Sequence, residues 1–205
     1  MSNENIQNNK GFILGIMASG RRFSNSGRLL EEALQATENM GYRSETIFLA
    51  DYSINPCTGC KSCEHTGSCV IRDDMDTLYT LVDRADGIIF ATPVYFYSVP
   101  GHAKMFIDRF QPYWARRYKL GQKPEHKRLG ATIAIAGTSG KKVFECIRLP
   151  VKYFYDSIFM DDYEPLVFPD FDEDPKKIKN TMFKKAFEYG KKYATLFENL
   201  IQASE

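Results

Sequence analysis

The chain has 205 residues, a formal net charge of +1, and 43% hydrophobic against 26% charged residues. That is length enough for one buried core without cross-links, with a charge balance that selects neither nucleic acid nor an anionic membrane as partner. No apolar run is long enough to span a bilayer.

In chain order, residues 1–10 are polar and Asn-rich, the composition of a disordered tail and not of a secretory leader, so a cytoplasmic protein is expected. Residues 11–205 are read as one domain. Gly11 to Ala18 suits a buried strand, and Asn25 to Met40 carries Leu29, Leu30, Ala33 and Leu34 at helical spacing before Gly41. Arg43 to Leu49 reads as a second strand, and residues 51–73 form a loop without periodicity that holds four of the five cysteines. Asp74 offers an N-cap for a helix through Arg84, and Gly87 to Thr92 is the strongest buried strand. Gly101 to Tyr113 reads as a helix, Leu129 to Ala136 as the fourth strand, and Lys142 to Ser157 as a helix kinked or split by Pro150. Glu164 to Phe168 makes a fifth strand. Pro175 opens a long helix to Ile201, with Ile178, Met182, Ala186, Tyr189, Tyr193, Leu196 and Leu200 on one stripe.

Strands alternating with helices imply right-handed crossovers and a five-stranded parallel sheet covered on both faces, a three-layer α/β/α sandwich. In the doubly wound order 2-1-3-4-5, ligands sit where the order reverses, outside the carboxyl ends of the strands. Three loops occupy that position. Ser19, Arg21, Ser24, Asn25 and Ser26 lie between the first strand and a helix N-terminus, where hydroxyls, a guanidinium and free N–H groups suit a phosphate monoester. The plainer reading makes Ser24 or Asn25 a helix cap and nothing more. Pro93, Val94, Tyr95, Phe96 and Tyr97 follow the third strand and suit a flat, hydrogen-bonding ring system, or simple packing under the next helix. Gly137, Thr138, Ser139 and Gly140 follow the fourth, small enough for a ligand to approach the backbone, or for an ordinary turn.

These loops carry a family resemblance. Residues 18–26 (ASGRRFSNS) are similar to the GSPRxxSNT phosphate loop of NADPH-dependent FMN reductases, with Ala18-Ser19-Gly20 standing where that family has Gly-Ser-Pro. Thr92-Pro93-Val94-Tyr95, with Lys104 to Arg109 (KMFIDR), resembles the same family's TPVY and LKxFIDR segments. Pro56 to Cys63 (PCTGCKSC) and Cys69 to Met75 (CVIRDDM) resemble the iron–sulfur flavoproteins of that superfamily. The likeness runs from about Phe12 to Gly140. It implies a flavodoxin-like fold, FMN as cofactor, and homodimers or homotetramers with flavins near the interfaces.

Cys57, Cys60, Cys63 and Cys69 are compactly spaced, which suits thiolates converging on one [4Fe–4S] cluster, whereas zinc sites place a longer loop between two CxxC pairs. In the resembled flavoproteins this motif ligates such a cluster. A motif that takes no iron, a zinc site and redox-active thiols stay open. Gly59, Lys61 and Gly67 would permit tight wrapping; Cys146 reads as a small buried hydrophobe. His65, His102 and His126 are given no catalytic role. With both centres present, the protein would couple a one-electron donor such as ferredoxin to a small two-electron acceptor, the chemistry occurring on the flavin. The alternatives are an NAD(P)H-dependent FMN or quinone reductase without a cluster, and a non-catalytic flavin or metal sensor. The basic stretch 116–128 reads as a solvated face, or as a dock for an acidic ferredoxin or the extra phosphate of NADPH. The acidic run 161–174 reads as a solvated face.

Overall fold

The computed structural model describes residues 10–140, 142–171 and 179–202. The expected tail, apart from Lys10, and the positions of Pro175 and Ile178 lie outside them. Strands β1 (Phe12–Met17), β2 (Arg43–Phe48), β3 (Gly87–Pro93), β4 (Arg128–Ile135), β5 (Met160–Asp162) and β6 (Leu166–Phe168) form one parallel sheet. Its order is β2-β1-β3-β4-β5, with β6 also on β4. Helices α1 (Asn25–Glu38), α2 (Cys63–Thr66), α3 (Met75–Arg84), α4 (Gly101–Asp108), α5 (Gln111–Tyr118), α6 (Glu145–Ser157) and α7 (Asn180–Gln202) complete the described elements, with one 3-10 turn at Leu49–Asp51.

β1 is buried over its whole length and β3 over all but its last residue, as parallel strands covered on both faces must be. Successive side chains feed two cores. Leu14, Ile16, Ile88 and Phe90 pack with residues of α3, α4 and α6, including Leu78, Phe106 and Phe154. Ile13, Ile89, Ala91 and Ile133 pack with residues of α1 and α7, including Leu29, Tyr193 and Phe197. The three layers and the strand order are those expected. Among the described residues, no helix is long and apolar enough to cross a membrane.

Five local details differ from the sequence pattern. The helix expected over 101–113 is two helices, because the Pro112 ring would clash with the carbonyl of Asp108, the last residue of α4. Arg109 and Phe110 make the corner. The expected fifth strand is two three-residue strands, both on β4, interrupted before Pro165, which has no N–H to donate. Pro150 lies inside α6 without splitting it; Ile147, Val151 and Phe154 hold both halves against the core. The side chain of Asp74 does not cap α3. Its Oδ2 accepts from Ser53 N–H at 2.7 Å, while Asp73 Oδ1 accepts from Met75 N–H at 3.0 Å. On α7 the buried stripe turns to Phe197, leaving Leu196 40% exposed.

Helices α1 and α7 pack closely because Gly190 has no side chain: a Cβ there would lie 2.2 Å from the Ala33 carbonyl oxygen. Backbone cannot swing aside as a side-chain tip can. Gly190→Val is therefore expected to separate the two helices and cost ~1–3 kcal/mol, read as a lowered urea midpoint at unchanged m-value.

Candidate functional site

The carboxyl ends of β1, β3 and β4 open onto one cleft. Ser19, Arg21, Ser24, Asn25, Ser26, Pro93, Val94, Tyr95 and Gly137 line it, so all three expected loops contribute. Ile135 and Phe171 complete the lining. Sequence reading missed both, because one belongs to a strand and the other to an irregular segment that returns to the sheet through Phe171 N–H to Ala136 O at 2.8 Å. Ser24 is the N-cap of α1: its Oγ accepts from Gly27 N–H at 3.1 Å and lies 3.2 Å from Ser26 Oγ. The capping role is real, yet the same loop keeps Ser19, Ser24 and Ser26 buried around a free helix N-terminus. Asn25 is 8% exposed, and its Oδ1 has no hydrogen-bond partner among the described residues. An amide can present either N or O to the cleft by a half-turn. Of the two arginines, Arg22 pairs with Asp51 on the surface, which leaves Arg21 on the cleft.

Phe96 and Tyr97 do not line this cleft. Tyr95 and Ser98 exchange both backbone hydrogen bonds at 2.9 Å, closing a two-residue turn. Phe96 (φ 49°) and Tyr97 (φ 57°) occupy it in the left-handed region, which costs about 1–2 kcal/mol per non-glycine residue. The turn holds Phe96 fully in solvent at the rim. Tyr97 leans over the third loop, its Oη 2.6 Å from where a Cβ on Gly140 would sit. Thr138 and Ser139 are exposed and lie off the lining.

His102, assigned no part from the sequence, lies beneath the first loop and hydrogen-bonds the Ala18 backbone. Burial pushes its pKa below the usual histidine value despite that bond. Its Nε2 is buried with no partner among the described residues. No motif marks it. Its place emerges only when the start of α4 is laid against the end of β1.

The four clustered cysteines meet elsewhere. Cys57, Cys60, Cys63 and Cys69 line one open cavity of about 360 Å³, bordered by Asp108, Arg109, Gln111, Pro112 and Trp114 from the α4–α5 corner. All four are free thiols. Gly59 (φ 66°), Lys61 (φ 62°) and Gly67 (φ 67°) supply the left-handed turns that wrap the segment. Burial pushes the Cys63 thiol up, and the neighbouring Cys69, Cys57 and Cys60 add to that, as thiols sharing one space do. Cys146, expected to be buried, is half-exposed.

Among the described residues, no three His, Cys, Asp or Glu side chains are gathered as ligands of a single ion. Zinc would draw each sulfur to about 2.3 Å from one point. A cubane, with iron at four corners, takes its thiolates spread around a larger body. The donor set and the size of the cavity suit the second.

One buried guanidinium holds this segment in place. Arg109 is 0% and Asp73 6% exposed at the side chain, and they pair at 2.6 Å. Arg109 Nη1 also donates to Asn55 O at 2.8 Å and Nη2 to Ile71 O at 3.2 Å. Asn55 and Ile71 stand two residues outside Cys57 and Cys69, so a single side chain clamps both stems of the cysteine loop. Asp73 Oδ2 further accepts from Asn55 N–H at 2.9 Å. Burial pushes the Asp73 carboxyl up, but Arg109 and the N–H groups of Asn55 and Met75 outweigh it and hold the carboxyl down at about 2. Beside the loop, Arg116 Nε donates to Gly67 O at 2.7 Å. Arg117 binds Asp156, and Arg128 binds the carbonyls of Val82, Ala85 and Ile158. Half of the six basic residues in stretch 116–128 thus serve the fold.

A model of the NADPH-dependent FMN reductase family matches residues 12–146. The chain is 40% identical over 129 residues to an iron–sulfur flavoprotein of Archaeoglobus fulgidus, covering 62% of this chain and 56% of that protein. It is 38% identical over 128 residues to an iron–sulfur flavoprotein of Methanocaldococcus jannaschii, covering 62% and 64%. The matched region spans less than two thirds of either relative. Among solved structures, an NAD(P)H:quinone oxidoreductase of Methanothermobacter marburgensis superposes with a TM-score of 0.71 at 15% identity, over 88% of this chain and 96% of that one. A flavone reductase superposes with a TM-score of 0.70 at 21% identity, over 91% and 63%. These two likenesses are of fold.

The depressed Asp73 carboxyl makes stability depend on acid. Its folded pKa of about 2 lies below the ordinary 3.8, so the stabilisation is full above pH 4 and fades as pH falls toward 2. The shift corresponds to ~2 kcal/mol. Asp73→Asn is expected to lose about that much at pH 7 and to flatten the acid slope, both read from denaturation midpoints between pH 2 and 7. A slope unchanged in the variant would place the acid sensitivity in other carboxylates.

Proposed function

The chain belongs to the NADPH-dependent FMN reductase family, and from that premise we propose that it is an FMN-dependent oxidoreductase of the iron–sulfur flavoprotein type. The observation that carries the reading is the convergence of Cys57, Cys60, Cys63 and Cys69 on one cavity large enough for a cluster. The curated relatives named above support it.

The residues divide the work. Arg21, the hydroxyls of Ser19, Ser24 and Ser26, and the N-terminus of α1 would hold the FMN phosphate; Asn25 adds a buried amide with bonding capacity to spare. Pro93, Val94, Tyr95 and Gly137 would flank the ring system, with Tyr97 and Gly140 bracing the rim. The four cysteines would ligate a [4Fe–4S] cluster. Bound FMN supplies two-electron chemistry and the cluster one-electron exchange, so the pair suits passage of electrons from a one-electron carrier such as ferredoxin to a small acceptor. The cleft lies at the N-terminal end of α4 and the cysteine cavity at its C-terminal end. Eight residues of helix span about 12 Å. We place the protein as a homodimer or homotetramer on resemblance.

A second reading keeps the flavin and drops the cluster, with NAD(P)H as donor and FMN or a quinone as acceptor. The cleft favours it in one respect: among the described residues, no cysteine contributes to its lining.

Iron, acid-labile sulfide and FMN per chain, on protein purified without oxygen, separate the two. About four iron and four sulfide beside one FMN are expected; FMN alone with four titratable thiols supports the second reading. Arg21→Ala tests the cleft under either. Loss of a charge-assisted bond worth about 1.5–3 kcal/mol should weaken FMN binding roughly 10- to 100-fold and leave riboflavin affinity unchanged. Equal loss for both flavins would move the phosphate away from Arg21.

A further inference from the structure

Of the pair that ties the cysteine stems, Arg109 also faces the cavity between them. Its guanidinium is fully buried, carries a fixed charge, and has one N–H, Nε, without a partner among the described residues. The ties to Asn55, Asp73 and Ile71 use Nη1 and Nη2 and leave Nε over. The charge has near neighbours. Asp73 accepts from Nη1 at 2.6 Å, and Tyr79 Oη donates to the Arg109 backbone carbonyl. The opposite charge, Asp73, stands on the stem side, bonded to Asn55.

We propose that Arg109 and Asp73 are positioning residues that set the reduction potential of the cluster bound by Cys57, Cys60, Cys63 and Cys69; this rests on the cluster reading of the cavity. Reduction adds one electron to the cluster and changes no covalent bond, so its cost is electrostatic. Net charge, hydrogen bonds and burial are what tune iron–sulfur potentials, and a charge in a water-poor wall is weakly screened. Arg109 makes the reduced cluster easier to form. Asp73 partly cancels that effect and keeps the potential lower than the bare guanidinium would.

Three variants test this on the iron-loaded protein, by dithionite titration followed in the visible and by electron paramagnetic resonance. Asp73→Asn keeps the acceptor oxygen and removes the countercharge, so its midpoint potential should rise. Arg109→Gln should lower it, and Arg109→Lys, which keeps the charge and loses the fork, should stay near the parent. Each shift should be at least tenfold in the reduction equilibrium, which is 59 mV for a one-electron couple. Potentials unchanged in Asp73→Asn, or lowered in it, overturn the proposal. So does an Arg109→Gln protein with the parent's potential. If Arg109→Gln does not fold, the comparison of Asp73→Asn with parent and with Arg109→Lys decides alone. A parent chain without iron and sulfide instead refutes the cluster reading itself, an outcome distinct from a loaded parent whose variants do not shift.

Discussion

A single buried ion pair organises the half of this molecule that distinguishes it from a plain nucleotide-binding sandwich. Arg109 sits at the corner where Pro112 forbids one helix to continue, and its guanidinium reaches Asp73, Asn55 and Ile71. The cysteine segment between those stems has one helical turn of four residues and few buried side chains. Nothing hydrophobic would hold so polar a loop to the body. The pair does, with Arg116 on Gly67 as a second tie. An unpaired buried charge is far costlier than the pair is favourable, so the two residues depend on each other more than the fold gains from both.

The sheet performs a different service. Its order reverses between β1 and β3, so the loops after those strands diverge to opposite faces and leave a crevice at the carboxyl edge. Strands buried on both faces are rigid, and residues at their ends inherit that rigidity. The cleft gathers Ser19, Pro93 and Gly137 from sites more than forty residues apart, each at the end of a strand in the sheet's interior. Helix α4 then links the two regions: it starts beside the cleft, where His102 touches the first loop, and ends at the Arg109 corner. The rim of the cleft carries backbone strain. Phe96 and Tyr97 occupy left-handed backbone that neither residue favours, held by the two bonds between Tyr95 and Ser98.

Much of this was legible in the chain. Apolar runs such as GIIFAT and the small residues after them mark strands entering loops, because burial on both faces leaves no room for polar alternation. The residues singled out in the first loop all line the cleft, since they fall within a few positions of a helix start. Being aromatic, Phe96 and Tyr97 read as cleft residues, yet a two-residue turn sends one to solvent and the other to the third loop. Ile135 and Phe171 gave no signal, because a strand residue and a returning segment carry no mark of what they face.

What the sequence determined alone is therefore whatever depends on neighbours along the chain: strand and helix periods, a helix cap at Ser24 or Asn25, the hydroxyl- and arginine-rich composition of the first loop and the compact cysteine spacing. Where the apolar pattern misleads, at 101–113 and at the fifth strand, a proline inside the segment breaks the element. The tertiary structure alone decided that four thiols share one cavity, that Asp73 and not Asp74 reaches α3, and that Arg109 and Asp73, thirty-six residues apart, form the pair that holds them. The physical reason is that a buried charge must find its partner in space, and nothing in the local pattern of either residue records where that partner lies.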